Sequence, residues 1–174
     1  GKQELVTSSE GTHSIEISTD GQYIFDEYST STIPGKSVVY TASGKKEKTL
    51  VTSKNPYEGV DLGKTTIGEL KAKDGSVLYT RMIQPKNFDP NKKYPVLVYV
   101  YGGPHAQMIT NSWLNGANLW MHWMADQGYI VFTLDNRGSG ERGFTFESQI
   151  HRQVGNVEME DQMTGVEYLK SLPY

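Results

Sequence analysis

A tyrosine at the start of a glycine turn is the residue of this sequence best placed to do chemistry. Tyr101 ends the run 94–101, which is almost entirely Val, Leu and Tyr, and Gly102-Gly103-Pro104 follows it. Such a run predicts a strand covered on both faces, and open α/β sheets place their chemistry at the carboxyl ends of their strands. The turn therefore marks the position at which we expect an active site.

The sequence offers no serine nucleophile for such a site. No Gly-x-Ser-x-Gly motif, the usual setting of the nucleophile in α/β hydrolases, occurs in its 174 residues. His105 lies beside the expected site, but a Ser-His-Asp arrangement would also need a positioned serine. The absence of cysteine excludes a cysteine nucleophile, disulfides and thiolate metal sites.

The histidines do not predict a metal site. His122 and Asp126 lie one helical turn apart, whereas a zinc site needs three or four ligands. We therefore expect no metal and no cofactor. The four histidines are His13, His105, His122 and His151.

The segment 138–143 fits the Gly-x-Gly-x-x-Gly pattern of dinucleotide-binding loops. That pattern holds pyrophosphate only when its first glycine directly follows a strand and its last glycine lies inside a helix. Asp135-Asn136-Arg137 separate the first glycine from the preceding apolar run, and 144–148 is a poor helix former. We interpret the match as coincidental and the segment as a tight surface turn.

The first third of the chain has the pattern of short antiparallel strands. Apolar and polar residues alternate, and turn signals such as Thr19-Asp20-Gly21 separate the runs. Four such strands match one blade of a β-propeller, and they equally match a small four-stranded meander packed on the rest of the chain. The predicted strands are 13–18, 22–28, 37–41 and 48–52.

The rest of the chain alternates strands and helices, which predicts an α/β fold with a parallel strand pair. Asp74-Gly75 predicts a hairpin between 66–73 and 76–84 after a linker at 55–68. A helix at 119–127, closed by Gly128, joins the run 94–101 to a second buried strand at 129–134, and this is a βαβ unit.

The last predicted element is a helix at 157–172. Its expected apolar stripe has three- and four-residue spacing. Its acidic residues fit helix-dipole electrostatics and a solvated face better than a metal or acid/base cluster. The stripe is Met159, Met163, Val166 and Leu169, and the acidic residues are Glu158, Glu160 and Asp161.

The overall composition excludes several partners. A net charge of −3 gives no basic surface for nucleic acid or an anionic membrane. The longest apolar runs are too short to cross a bilayer. Residue 1 is Gly with no leader pattern behind it, so we expect any targeting segment to lie upstream or to have been removed.

Three blocks of sequence, taken together, resemble the prolyl oligopeptidase family of serine peptidases, and most of all its dipeptidyl peptidase IV branch. The order and spacing of the blocks carry the resemblance. Through it, Tyr101 matches the family tyrosine whose hydroxyl helps to form the oxyanion hole. The blocks are 94–107, 135–140 and 155–162.

The resemblance implies an enzyme that removes Xaa-Pro or Xaa-Ala dipeptides from peptide N-termini by acyl transfer through a serine. It implies an incomplete α/β-hydrolase sheet preceded by an antiparallel four-stranded β-propeller blade. Residues 1–56 would be the end of the propeller domain, and 57–174 the start of the hydrolase domain, cut before the nucleophile elbow. The parent would be a homodimer acting on peptides in a bacterial periplasm or cell envelope.

The departures from the family pattern limit the expected activity of these residues alone. In the family, the nucleophile, its Asp and its His follow the helix that here ends near Leu172, and paired glutamates that hold the substrate's amino terminus precede the first strand. We therefore expect an inactive fragment whose unfinished sheet associates or aggregates. A piece of an esterase-type hydrolase and a non-catalytic binding or scaffold module remain alternatives.

Overall fold

The computed structural model describes residues 5–7 and 10–174. The chain forms two compact units. The first contains the chain up to Val60 together with Thr110–Gly116, and the second contains Asp61–Ile109 and Ala117–Tyr174. Residues 1–4 and 8–9 of the predicted propeller region lie outside the described residues.

The first unit is a four-stranded antiparallel sheet in the order β1-β2-β3-β4. The four strands predicted from sequence are confirmed, with bounds shifted by up to two residues. A small apolar cluster covers one face, and it contains Ile24, Tyr28, Val38 and Tyr40. The strands are β1 (Thr12–Ile17), β2 (Tyr23–Ser29), β3 (Lys36–Thr41) and β4 (Lys46–Thr52).

The second unit is a mixed sheet in the order β5-β6-β8-β7. The predicted hairpin is confirmed as the antiparallel pair β5-β6, and β7 and β8 are parallel, as the predicted βαβ unit requires. Helix α1 (Leu119–Asp126) joins them and is followed by Gly128 at φ +91°. The strands are β5 (Lys64–Lys71), β6 (Val77–Gln84), β7 (Val96–Tyr99) and β8 (Ile130–Leu134).

The prediction that 94–101 is a strand covered on both faces is wrong for this structure. β7 spans only Val96–Tyr99, and its residues are half-buried or exposed. It lies at the edge of the sheet, whereas β8 lies between β6 and β7 and is buried along its whole length. Apolar composition thus identified both strands, but position in the sheet decides which one is enclosed.

Helix α3 (Val157–Ser171) is confirmed, but its predicted apolar stripe is correct only in part, since Leu169 packs against the core and Val166 is half-buried. Met159 and Met163 are exposed, and the residues buried along the helix are Glu158, Asp161 and Gly165. A Cβ at position 165 would lie 3.1 Å from side-chain atoms of Phe132 and Leu134, so the helix approaches the sheet closely there. The buried core contains Ala72, Leu78, Met82, Ile130, Phe132, Leu134 and Phe146.

Candidate active site

Tyr101 lies two residues beyond β7, and its side chain is open to solvent. The residue is 59% exposed. Gly102 makes the turn at φ +76°, and a Cβ at Gly103 would lie 3.1 Å from Cε1 of the Tyr101 ring, so the ring lies against this turn. No hydrogen bond to the Tyr101 hydroxyl is formed within the described part of the chain. The phenol is thus available as a donor to a group outside these residues.

The loop after Tyr101 is held by a buried carboxylate at the end of β8. The Asp135 side chain accepts hydrogen bonds from the backbone N–H of Met108 at 2.9 Å and of Ile109 at 3.0 Å. Arg81, from the middle of β6, donates to the carbonyl of Met108 at 2.8 Å. Two side chains therefore hold the backbone of one short segment.

Both of these side chains are deeply buried. Arg81 is 1% and Asp135 is 4% exposed. Burial raises the pKa of Asp135, while its hydrogen bonds from the loop backbone and the charge of Arg81 act in the opposite direction. For Arg81 burial has the opposite effect on the pKa and lowers it, because burial disfavours the charged form of either group, and the negative charge of Asp135 opposes this change. The guanidinium also donates to Thr133 Oγ1 at 3.2 Å.

A second attachment of the loop lies at the glycine-rich segment after β8. The backbone N–H of Gly140 donates to the carbonyl of Ala106 at 3.3 Å. A Cβ at Gly140 would lie 3.0 Å from the His105 carbonyl oxygen, so the close approach of the two backbones favours glycine. The His105 ring contacts the carboxylate of Glu147. The blocks 94–107 and 135–140 are thus in direct contact.

The third sequence block joins the same network through Arg137. Its guanidinium binds Asp161 with hydrogen bonds from Nη2 at 2.7 Å and from Nε at 3.0 and 3.1 Å. The Arg137 backbone N–H donates to the same carboxylate at 2.8 Å. Glu160 and Asp74 bind the guanidinium at 2.7 and 3.1 Å. The hydrogen bonds to Asp161 and Glu160 raise the pKa of Arg137. The pKa of Glu160 is lowered, mainly by its hydrogen bond with Lys73 and in addition by Arg137.

Two interpretations from the sequence are corrected by this network. Of the segment 138–143, predicted as a surface turn, the first half (138–140) is buried and only the second half (141–143) is exposed or half-buried. Asp161 is fully buried in an ion pair, so the acidic residues of α3 are more than a solvated face. Periodicity missed both features because each depends on a partner distant in sequence. The available signal was the charged Arg81 in the middle of a mainly apolar strand, because a charge enclosed there requires a buried partner.

The glycine pattern at 138–143 does not open a dinucleotide site. The helix that follows, α2 (Phe144–Glu147), has four residues, and a 3₁₀ turn (Ser148–Ile150) continues it. A helix this short supplies little of the dipole that pyrophosphate binding uses. Gly138, at φ +97°, instead packs against the side chain of Ile150, where a Cβ would come within 2.6 Å.

The histidines are dispersed over the structure. His13 contacts the buried Asp26 at 2.9 Å, and His122 contacts the carbonyl of Leu62 at 2.9 Å. Within the described ranges 5–7 and 10–174, no group of three His, Asp or Glu side chains is arranged to hold a metal ion. His105 lines an open, mainly apolar cleft of about 730 Å³ together with Phe144 and Val154.

The chain is similar to known peptidases over almost its entire length. The model of the prolyl oligopeptidase family matches residues 117–174. Human dipeptidyl peptidase 8 is 29% identical over 98% of this chain and 20% of its own length. Dipeptidyl peptidase 4 of Trichophyton equinum is 31% identical over 87% of this chain and 20% of its own length.

Two crystal structures share the architecture. A candidate dipeptidyl aminopeptidase IV from Bacteroides ovatus superposes with a TM-score of 0.90 at 49% identity, over 95% of this chain and 24% of its own. The chain belongs to the prolyl oligopeptidase family. Porphyromonas gingivalis dipeptidyl peptidase 4 superposes with a TM-score of 0.87 at 27% identity, over 97% of this chain and 24% of its own.

The three sequence blocks that carry the resemblance are in contact, 135–140 with 94–107 through Gly140 and with 155–162 through Arg137. The dipeptidyl peptidase IV branch is the one to which the chain is similar. The chain spans about a fifth of the length of the curated relatives it matches. None of the helices in the described residues has the length and apolar character needed to cross a membrane.

Proposed function

We propose that this chain is part of a serine-type dipeptidyl peptidase that removes Xaa-Pro or Xaa-Ala dipeptides from peptide N-termini. The observation that carries the proposal is the position of Tyr101. The residue is exposed just after the parallel strand β7, on a loop held by Asp135 and Arg81. The dipeptidyl peptidases among the similar proteins support the same assignment.

Tyr101 acts in this proposal as an oxyanion donor. Serine attack on the scissile carbonyl places negative charge on the carbonyl oxygen, and a donor already aimed at that position stabilises the transition state. A phenol suits this role because it is neutral at pH 7 and carries one O–H. In this proposal the hydrogen bonds with Asp135 and Arg81 restrain the loop that carries the donor, so little reorganisation accompanies the reaction.

The two units fit parts of such an enzyme. Residues 1–56 are proposed as one β-propeller blade, and residues 57–174 as the first part of an α/β-hydrolase domain. The antiparallel order β1-β2-β3-β4 and the mixed order β5-β6-β8-β7 support these assignments. No Gly-x-Ser-x-Gly motif occurs in these residues, so we propose that they are inactive alone. We further propose that the complete protein is a homodimer.

The test compares the complete protein with residues 1–174 on chromogenic substrates. Gly-Pro-p-nitroanilide and Ala-Ala-p-nitroanilide should be cleaved by the complete protein, and N-acetylated Gly-Pro-p-nitroanilide should resist cleavage because a dipeptidyl peptidase needs a free amino terminus. Residues 1–174 should cleave none of them. Cleavage by residues 1–174 would show that a nucleophile had been overlooked.

The same assay distinguishes the alternatives. An esterase-type hydrolase would cleave p-nitrophenyl acetate and leave all three anilides intact. A scaffold module would leave every substrate intact in the complete protein as well. Either result would contradict the proposed peptidase, and light scattering on the active protein would test the proposed homodimer by its mass.

A further inference from the structure

The contacts of Arg81 and Asp135 converge on a single peptide segment. Asp135 accepts from two successive N–H groups, those of Met108 and Ile109, and Arg81 donates to the Met108 carbonyl. Both polar faces of the Met108 backbone are thus bound by buried charged groups. We call Arg81 and Asp135, with the two backbone residues that they bind, the loop clamp.

The loop clamp acts on the segment that begins at Tyr101. Seven residues separate Tyr101 from the last clamped residue, Ile109. Between them the loop is also attached at Ala106, through the N–H of Gly140 at 3.3 Å. The loop thus runs from the end of β7 to two attachments, one made by Arg81 of β6 with Asp135 directly after β8, and one made by Gly140 further along the same segment. Rigid attachment of this kind limits how far the Tyr101 hydroxyl can move.

Stability alone is a weak reason for two buried charged side chains in this position. Burying two charges carries a large desolvation cost, and well-packed apolar side chains often serve stability equally well. Charge-assisted hydrogen bonds to backbone are stronger and more directional than neutral ones. The benefit that the pair offers over an apolar pair is therefore a fixed loop backbone.

We propose that Arg81 and Asp135 are positioning residues that hold the Tyr101 hydroxyl in place for oxyanion stabilisation. This inference rests on the proposed function. The pair contacts neither substrate nor reacting atoms in this scheme and acts only through Tyr101. Loss of the loop clamp should then lower kcat while KM changes little, because the interaction is made in the transition state.

The first experiment is a double-mutant cycle in the complete protein. Asp135→Asn should lower kcat for Gly-Pro-p-nitroanilide by about 10- to 100-fold, within the range that misplacement of a catalytic group produces. In a Tyr101→Phe background, the same substitution should lower kcat less than threefold, because the donor that it positions is absent. An equal loss in both backgrounds would overturn the inference and leave the proposed peptidase intact.

A second variant separates positioning from folding. Arg81→Met combined with Asp135→Leu removes both charges, so no unpaired charge stays buried. We expect this double variant to stay folded, with a circular dichroism spectrum like that of the wild type, although the loop backbone loses its side-chain partners, and yet to keep the low kcat of Asp135→Asn. Wild-type kcat in this variant would overturn the inference. Asp26→Asn is the matched control, since Asp26 is a fully buried carboxylate in the first unit, and it should leave kcat unchanged.

Hydrogen exchange gives a readout that does not depend on activity. In the wild type, the amides of Met108 and Ile109 should be protected by the Asp135 carboxylate, and peptides covering 102–110 should exchange at least tenfold faster in Asp135→Asn. If exchange is faster in Asp135→Asn but the wild-type complete protein cleaves no Gly-Pro-p-nitroanilide, the loop clamp exists, and the proposed function and the positioning role are both overturned. Unchanged exchange would overturn the loop clamp itself.

Discussion

At the scale of the residue, the second unit depends on a few buried charges that bind backbone or one another. Arg137 is the most connected of them, because its guanidinium and its N–H both bind Asp161. Asp161 is fully buried, and three acidic side chains surround one arginine. Removing one partner of such a pair leaves an uncompensated charge in a poorly solvated place.

We therefore predict that Asp161→Asn lowers the free energy of unfolding by about 3 kcal/mol, at the lower end for a broken buried pair because Glu160 and Asp74 remain. Thermal and urea unfolding would measure the loss. Glu167→Gln is the control, because Glu167 pairs with Lys170 on the exposed side of the same helix, and it should cost under about 0.5 kcal/mol. Equal effects would contradict the assigned importance of the Arg137 pair.

His122 provides a pH-dependent contribution at the same scale. Burial lowers its pKa below the ordinary value of 6.5, and the nearby charge of Arg81 acts in the same direction. The unfolded chain therefore takes up a proton near pH 6.5 that the folded chain does not, and stability falls as the pH drops through that range. Well above pH 6.5 the imidazole is neutral in both the folded and the unfolded chain, so this loss of stability is absent there.

We predict that His122→Asn removes this part of the pH dependence. The melting temperature of the wild type should fall between pH 7 and pH 5.5 by more than that of the variant. His151→Asn, at an exposed histidine, should keep the wild-type slope. Identical slopes in the wild type and His122→Asn would show that His122 does not contribute.

At the scale of the element, glycines determine how closely the loop after β8 packs. Gly138 has φ +97°, and a Cβ there would come within 2.6 Å of the Ile150 side chain. Gly143 has a comparable φ of +82° but nothing within 4 Å of a Cβ. An alanine would be strained in its backbone at both positions, but only at Gly138 would its Cβ also overlap a neighbouring side chain.

We predict that Gly138→Ala destabilises the protein by about 1 to 3 kcal/mol more than Gly143→Ala, the range typical of overpacking. Ile150→Val in the Gly138→Ala background should recover part of the loss by making room for the new methyl group. Chemical denaturation of the four proteins measures both differences. Equal losses at the two glycines would show that the Ile150 contact is not limiting.

The elements that sequence predicted well are those fixed by local pattern. Alternation and turn residues gave β1 to β4, and Asp74-Gly75 gave the β5-β6 hairpin. The enclosed strand was predicted wrongly, and the buried face of α3 was predicted only in part. Enclosure depends on the order of strands in the sheet, and the buried face of α3 depends on Arg137, which no periodicity in the helix itself reveals.

At the scale of the whole molecule, the candidate site could be predicted in part. Tyr101 was identified by its place after an apolar strand and by resemblance, and its role remains a prediction. The network that holds its loop was not predicted, because Arg81 and Asp135 are 54 residues apart in sequence. Local patterns indicate elements, whereas contacts across elements determine how a functional side chain is held.

The central claim is that Tyr101 stabilises the oxyanion of a peptidase reaction, and one measurement tests it most directly. The kinetics of Gly-Pro-p-nitroanilide cleavage by the complete protein would be compared for the wild type, Tyr101→Phe and the control Tyr23→Phe, which alters an exposed tyrosine of the first unit. We predict that Tyr101→Phe lowers kcat by about 10²- to 10³-fold with little change in KM, the loss expected for one oxyanion donor, and that the control is unaffected. Wild-type kcat in Tyr101→Phe would contradict the account.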